Sequence, residues 1–506
     1  MELGRIDRTA LGASARLDYD VAMFVYSTLK DQLARYGTVD LNLRPSPYVV
    51  CQMNGAYYWL PDYLGSHHPL RTAEDVSAYF DRLSALAAAV DQETERMRHD
   101  VASGVIPPSF VLETTISQIE ELMQTPPERG SMIGPAIKRA AAARLGDISE
   151  RAQRIFRSKI IPALTRQLAA LRALQSRADS KAGVWKLPEG EVYYASALHS
   201  NTTSSRSAAD LHRFGLDLAA DITAQLDMKL RAQGYTKGSV MERVQALNQD
   251  ARFLAPDSDA GREQLLAAAR AAVDKARGLL PAAFGTIPDN PINVVRMPVA
   301  IEAGAPGARY REGSPGTFQL NLRYPQKLPL WRLPTLAHHE GIPGHHFQHS
   351  VMVAAGSLPL FRQIVQFSAY TEGWALYAER VADEIGVYRD DPFGQIGLLQ
   401  SELFRAGRIV VDTGLHHKRW SREHATDWMV EQVGEPRVVA QREIDRYCVY
   451  PGQACSFMVG ATEIRAAREQ ARKRLGARFD VRAFHDIVLR SGSMPMEVMH
   501  ALVERA

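Results

Sequence analysis

A chain of 506 residues with 46% hydrophobic and 23% charged residues lies in the ordinary globular range, which excludes disordered, collagen-like and low-complexity classes. Lys plus Arg number 60 against 57 Asp plus Glu, so a net charge of +3 calls for neither nucleic acid nor an anionic membrane as partner. Three cysteines, Cys51, Cys448 and Cys455, form no CxxC pair and leave one over, which argues for inert buried thiols in a reducing compartment rather than a disulfide scaffold.

In chain order, residues 1–8 carry charges where a secretory signal needs a basic start and an apolar core, and no later stretch reaches ~18 uninterrupted apolar residues. The expectation is a cytoplasmic protein. Helical periodicity then dominates. Thr72 to His99 places Val76, Tyr79, Leu83, Leu86 and Val90 at spacings of three and four behind a capping Thr72. Comparable amphipathic runs cover 110–123, 148–178, 208–233, 261–278, 402–411 and 459–475, punctuated by Pro107-Pro108, Pro126-Pro127 and glycine turns. Ile292 to Ala303 and Thr317 to Leu322 depart from this pattern, being β-branched or alternating around a Gly/Pro-rich stretch, Gly304 to Gly316. They predict a small antiparallel sheet with a mobile loop. The fold class is therefore mainly α. Residues 1–290 are expected as a helical wall of a cleft and 291–506 as the catalytic half, whether separate or continuous.

The segment Leu333 to His349, LPTLAHHEGIPGHHFQH, holds five of the fifteen histidines around Glu340. Neutral imidazoles beside a carboxylate suit zinc, and a Glu after a ligand histidine can deprotonate a water. The usual HExxH spacing sets its histidines four apart and about 40° apart round a helix, whereas His339 and His345 are six apart, roughly 120° in azimuth. Pro343 lacks the N–H that would bond the His339 carbonyl, and Gly341 and Gly344 tolerate a break. The helix is therefore predicted to be interrupted between Gly341 and Gly344, restoring an HExxH-like geometry. A competing pair, His345 with His349 at a four-residue spacing, leaves Glu340 out. Glu372 is the expected third ligand, brought by another helix, with a fourth position open to water. Glu379, seven residues on and on the same face, is read as a group behind a ligand or an ion-pair partner.

On these residues the chain resembles the bacterial family filed as domain of unknown function 885. Its pattern LxHHExxPGHHxQ then YxEGWAxYxE reads here as Leu336 to Gln348 and Tyr370 to Glu379. Further matches are Arg408 to His416, Arg446-Tyr447 with Pro451 to Ala454, and Phe484-His485 through Gly492 to Pro495. That family is similar in turn to the all-helical zinc peptidases of the thimet-oligopeptidase and thermostable-carboxypeptidase type, gluzincins with a neurolysin-like fold. The resemblance implies one Zn2+ per chain on His339, His345 and Glu372, with Glu340 as base. It also implies a cleft between two helical halves and an edge strand beside the metal; the two-residue insertion departs from the pattern.

A tetrahedral oxyanion needs a donor, for which Tyr447 is favoured, and Arg446 is a carboxylate anchor. The alternative is Tyr447 in the core and Arg446 bridging to Glu443. His416, four residues from Asp412, is either a carboxylate-braced proton donor or part of a helix end; His199 and His212 could reach the cleft but are more ordinarily structural. The expected function is zinc-dependent hydrolysis of a peptide or amide bond in a small peptide or peptide-like metabolite. The alternatives are a pathway-specific hydrolase or lyase for a natural product and a non-catalytic helical metal-binding scaffold.

Overall fold

The computed structural model describes residues 3–40, 43–299, 302, 306–356 and 358–505. The amphipathic runs become helices at Ala73–Ala102, Ser109–Gln124, Ala208–Ala232, Asp259–Leu279, Pro392–His416 and Ser456–Leu475. Thr72 closes a capping box with Asp75, while Ser207 and Ser258 each accept a backbone N–H at the start of their helices. The 148–178 run is one helical path with a π turn at Phe156–Ile160, just ahead of Pro162. A proline inside a helix cannot donate to the carbonyl four residues back, and a wider turn accommodates it.

Gly190–Thr202 and Arg437–Val449 are also helical. The first has no single apolar face, because Tyr193, Tyr194, Leu198, Asn201 and Thr202 are buried on different sides of it. Its periodicity therefore gave no signal.

The apolar core does not divide at residue 290. A smaller cluster is built only from residues 49–174, including Leu83, Val90, Ile119 and Leu171. The larger one joins Val21 and Leu226, Val273 and Phe284 to Phe318, Leu376 and Val459. The Ala208–Ala232 helix packs along Pro392–His416, and Asp259–Leu279 packs against Leu333–Glu340. The expected 1–290 and 291–506 halves thus share one core, and the part with a core of its own is 49–174.

The sheet is mixed. Gly316–Leu320 pairs antiparallel with Ala308–Arg311 and parallel with Ile292–Arg296, so the strand order places Gly316–Leu320 in the middle. The antiparallel partner is thus a short strand inside the Gly/Pro-rich stretch, and the first strand reaches the centre by a long crossover, as parallel pairing requires. Ala303 and Gly304, at the edges of the expected strand and loop, lie outside the described residues. A separate two-stranded antiparallel pair joins Thr38–Val39 to Pro45–Ser46.

Two helices meet backbone to backbone. A Cβ on Gly373 would stand 2.6 Å from Gly460 Cα, and one on Gly460 would stand 1.8 Å from the Ala369 carbonyl oxygen. Only glycine permits this approach of Ser368–Glu384, which carries Glu372, to Ser456–Leu475, which carries Phe457. All three cysteines are buried and free, and burial pushes their thiols up, that of Cys51 to about 12.

Two imidazoles clamp distant segments. His485 Nδ1 lies 2.8 Å from the Ala283 carbonyl oxygen and Nε2 2.7 Å from the Tyr377 hydroxyl. His416 accepts the Val184 N–H at Nδ1 and donates from Nε2 to the Tyr447 carbonyl, both at 3.1 Å. Burial depresses their pKa values to about 3 and about 4. The unfolded chain takes up protons at these rings below about pH 6.5 while the folded chain does not, so the stability present above that pH is lost as pH falls toward 4. Each ring is expected to withdraw up to about 3 kcal/mol over this window. Urea midpoints followed against pH should therefore vary less steeply between pH 6.5 and 4 in His485→Gln than in the parent; an unchanged slope would contradict the assignment.

Candidate metal centre

The helix carrying His339 ends at Glu340, and a new one starts at His345. Between them the Gly341–Gly344 detour, with a cis Ile342–Pro343 peptide, takes up the two additional residues. Side chains satisfy two of its carbonyls. His338 Nδ1 donates to the Ile342 carbonyl at 3.0 Å, and Trp374 Nε1 donates to the Pro343 carbonyl at 3.1 Å. Gly344 lies against the end of the first helix, where a Cβ would sit 2.0 Å from the His339 carbonyl oxygen and 2.4 Å from that of His338.

The detour turns two imidazoles toward one carboxylate. His339 Nε2 and His345 Nε2 lie 3.6 and 3.4 Å from Glu372 Oε2, and one ligand atom from each of the three residues lies within 4.8 Å of the other two. Four donors at ~2.1 Å on a tetrahedron stand ~3.4 Å apart, so this N,N,O set fits a divalent ion such as zinc with a fourth position open. No other such group of three or more metal-ligating side chains occurs among the described residues.

Glu379, fully buried, accepts from His339 Nδ1 at 2.8 Å, which fixes the tautomer that leaves Nε2 facing Glu372. Burial alone would depress the His339 pKa, but Glu372 and Glu379 outweigh it and hold it up at about 9. Burial likewise works against charge on Glu372, yet hydrogen bonds from His339 and His345 hold its carboxyl well below the usual range. The side chain of Glu340, at the end of the first helix, makes no hydrogen bond or ion pair with any described residue.

The other histidines of the segment do different work. His346 bridges the Tyr310 hydroxyl and the Asn290 carbonyl at 3.2 and 3.0 Å, tying the second helix to the edge strand. His349 Nδ1 lies 3.6 Å from Glu312, so the competing pair of His345 with His349 does not form the cluster. Glu372 opens on a cavity of about 170 Å³, lined also by Arg44, Ser200, Asn201, Ser368 and Gln453.

Tyr447 is buried and donates to Glu443 Oε2 at 2.9 Å. Arg446 gives one nitrogen to the same Oε2 at 3.1 Å and another to Gln453 Oε1 at 3.0 Å. Burial opposes the Glu443 charge, but Arg446 and Arg408 bring its carboxyl down to about 2. Neither Tyr447 nor Arg446 bonds His339, His345 or Glu372, and the alternative bridge of Arg446 to Glu443 is the one that forms. His416 has both ring nitrogens on backbone groups, so the proton-donor reading is corrected. Its supposed brace, Asp412, instead accepts from the Tyr194 hydroxyl and the Gly452 N–H. His212 binds the Thr413 hydroxyl, and His199 lies near the Ser204 carbonyl and the Phe24 ring.

The family described as bacterial protein of unknown function (DUF885) matches residues 1–503. The chain belongs to DUF885. Among solved structures, this DUF885 chain is similar to one described as the putative lipoprotein from Colwellia psychrerythraea. Identity is 34% at a TM-score of 0.95, covering 100% of this chain and 88% of that one. It shares its fold with a putative lipoprotein of unknown function from Shewanella oneidensis, at 18% identity and a TM-score of 0.72, over 99% of this chain and 89% of that one. No curated protein matches it.

These descriptions overturn the expectation of a cytoplasmic protein. That expectation rested on the lack of an apolar leader in the residues read, which does not decide a compartment. None of the described helices is long and apolar enough to cross a membrane.

The sequence reading gave no role to Arg405 and Arg408, whose signal is a pair of charges beside the apolar run Ile409 to Val411. It also gave none to Trp374 as the lock on the detour. Because backbone atoms already fill the space at Gly344, Gly344→Ala should destabilise this DUF885 protein by on the order of 3 kcal/mol. Thermal and urea unfolding measure this, and a variant as stable as the parent would show that the detour is not held as described.

Proposed function

We propose that this DUF885 protein is a zinc-dependent hydrolase of peptide or amide bonds in a small peptide or peptide-like compound. The observation that carries the reading is the convergence of His339, His345 and Glu372, with Glu340 next to the first of them in sequence and its carboxylate without a partner among the described residues. The order of these residues along the chain also supports the resemblance to the gluzincin peptidases and their neurolysin-like fold, with the ligand spacing widened by two. Zinc, when bound, would supply Lewis acidity toward a carbonyl and lower the pKa of a coordinated water.

The chain's own residues do the rest. Glu379 keeps His339 in the tautomer a ligand needs. Glu340 accepts a proton from the attacking water as its oxygen bonds the carbonyl carbon, and returns that proton to the amine when the C–N bond breaks. Tyr447 has no part in the proposal as oxyanion donor, since its hydroxyl is committed to Glu443. The description of the Colwellia relative favours an exported setting for this activity.

Elemental analysis of the purified parent should find one zinc per chain, and His345→Ala should lose it; undiminished zinc in that variant would remove the ligand assignment. Glu340→Gln should keep both fold and zinc while turnover of a short-peptide panel falls by on the order of 10²-fold or more. The amide matches the carboxylate in shape but cannot take the proton, so hydrolysis at the parental rate would sink the mechanism and favour a scaffold role.

A further inference from the structure

Arg408 is 3% exposed, and its guanidinium has no hydrogen bond or ion pair with any described residue; Nε and Nη2 are fully enclosed. Three enclosed N–H donors, one on Nε and two on Nη2, without an acceptor are a rare and costly burial. Aromatic rings surround the group. Its central carbon lies 3.9 Å from the centre of the Phe457 ring and 5.6 Å from those of Phe404 and Tyr447. These faces favour the cation without using its in-plane donors.

Arg405, one turn earlier, also lies over Phe457 at 5.9 Å; it reaches Ser401 with one nitrogen, and its Nε is buried without a partner. Arg446 completes the group. Facing these three cations, Glu443 is already shared by Arg446 and Tyr447. Asp412, the other nearby carboxyl, is held by Tyr194 and Gly452, and burial pushes its pKa up to about 7. Positive charge is therefore in excess.

This excess lies next to the candidate metal centre. The Phe457 ring is nearly parallel to that of His339, at 12° and 6.5 Å between centres, so one ring adjoins both the guanidinium and a proposed ligand. On its other flank, Arg446 bonds Gln453, which lines the cavity on which Glu372 opens.

We propose that Arg408, supported by Arg405, binds a carboxylate of the substrate and makes this protein selective for peptides or peptide-like compounds that carry one close to the scissile bond. The inference rests on the hydrolase reading and moves the anchor from Arg446, whose two terminal nitrogens are engaged by Gln453 and Glu443, to Arg408, whose guanidinium has no hydrogen-bonding partner among the described residues. A guanidinium offers a carboxylate two parallel charge-assisted hydrogen bonds. The carboxylate is either the peptide's C-terminus or an acidic side chain, and the test separates the two.

The zinc-loaded full chain would be assayed with one short neutral peptide as free acid and as C-terminal amide, and with an amidated peptide ending in glutamate. The free acid should be cleaved with a kcat/KM at least about 10-fold above the amide, and Arg408→Gln should lose on the order of 10²-fold on the acid while leaving the amide within about twofold. Cleavage of the glutamate amide as fast as the free acid keeps the anchor and assigns it to a side-chain carboxylate. Equal rates on all three in the parent, or an equal loss on acid and amide in Arg408→Gln, would overturn the proposal in favour of a structural cation held by aromatic rings. Should Arg408→Gln fail to fold, Arg408→Lys is read by the same ratio: a fallen acid-over-amide preference supports the anchor, and an unchanged one overturns it. If the parent cleaves nothing, the hydrolase reading fails by itself. Calorimetry of the same peptides then decides the anchor: tighter binding of a carboxylate-bearing peptide, lost in the variant, upholds it, and equal binding overturns it.

Discussion

Two imidazoles six residues apart face one carboxylate because the backbone leaves the helix after Glu340 and re-enters it at His345. The rest of the site depends on that detour. Its carbonyls would be orphaned in the interior, where unpaired backbone groups are costly, but the His338 and Trp374 rings donate to two of them. Gly344 lets the returning chain press against the first helix's last carbonyls. The break is therefore a packed element whose shape aims His339 and His345.

Around it, the residues of the two DUF885 patterns divide into those that face the centre and those that hold it. In the second pattern Glu372 faces inward, Gly373 lets its helix touch Gly460, and Trp374 locks the detour. Tyr377 ties to His485, Tyr370 donates to the Val488 carbonyl, and Glu379 sets the His339 tautomer. Most of that pattern is thus support for one carboxylate. A partly buried site of charged groups needs such support, because each imidazole and carboxylate is stable there only with its partners in place.

Charge is distributed unevenly about the centre. On the Glu379 side, two carboxylates draw His339 into a hydrogen-bonded chain. Toward Phe457 lie Arg408 and Arg405, and beyond them the one committed carboxylate, Glu443, is bonded by Arg446 alone of the three arginines. The aromatic rings make this burial tolerable without satisfying the guanidinium donors of Arg408. The proposed ion at one end and the proposed substrate carboxylate at the other both rest on this asymmetry.

The sequence by itself determined the helical class and the break at Gly341 to Gly344, and it offered His339, His345 and Glu372 as one group against the rival pair of His345 and His349. These follow from local rules: apolar period, a proline without its N–H, and a ligand spacing that a straight helix cannot satisfy. Only the tertiary structure decided the remainder. Asp412 and His416, four apart on one helix, look like a pair, but each is claimed by atoms far along the chain, Tyr194 and Gly452 for one, Val184 and Tyr447 for the other. Arg446 and Arg408 are alike as letters, and which one is left without a hydrogen-bonding partner depends on Glu443 and Gln453 reaching the first and only ring faces reaching the second. Strand pairing went the same way, since a crossover chooses parallel or antiparallel partners by what the rest of the core leaves open. Hydrogen-bond partners across long separations are set by packing, and no local pattern records them.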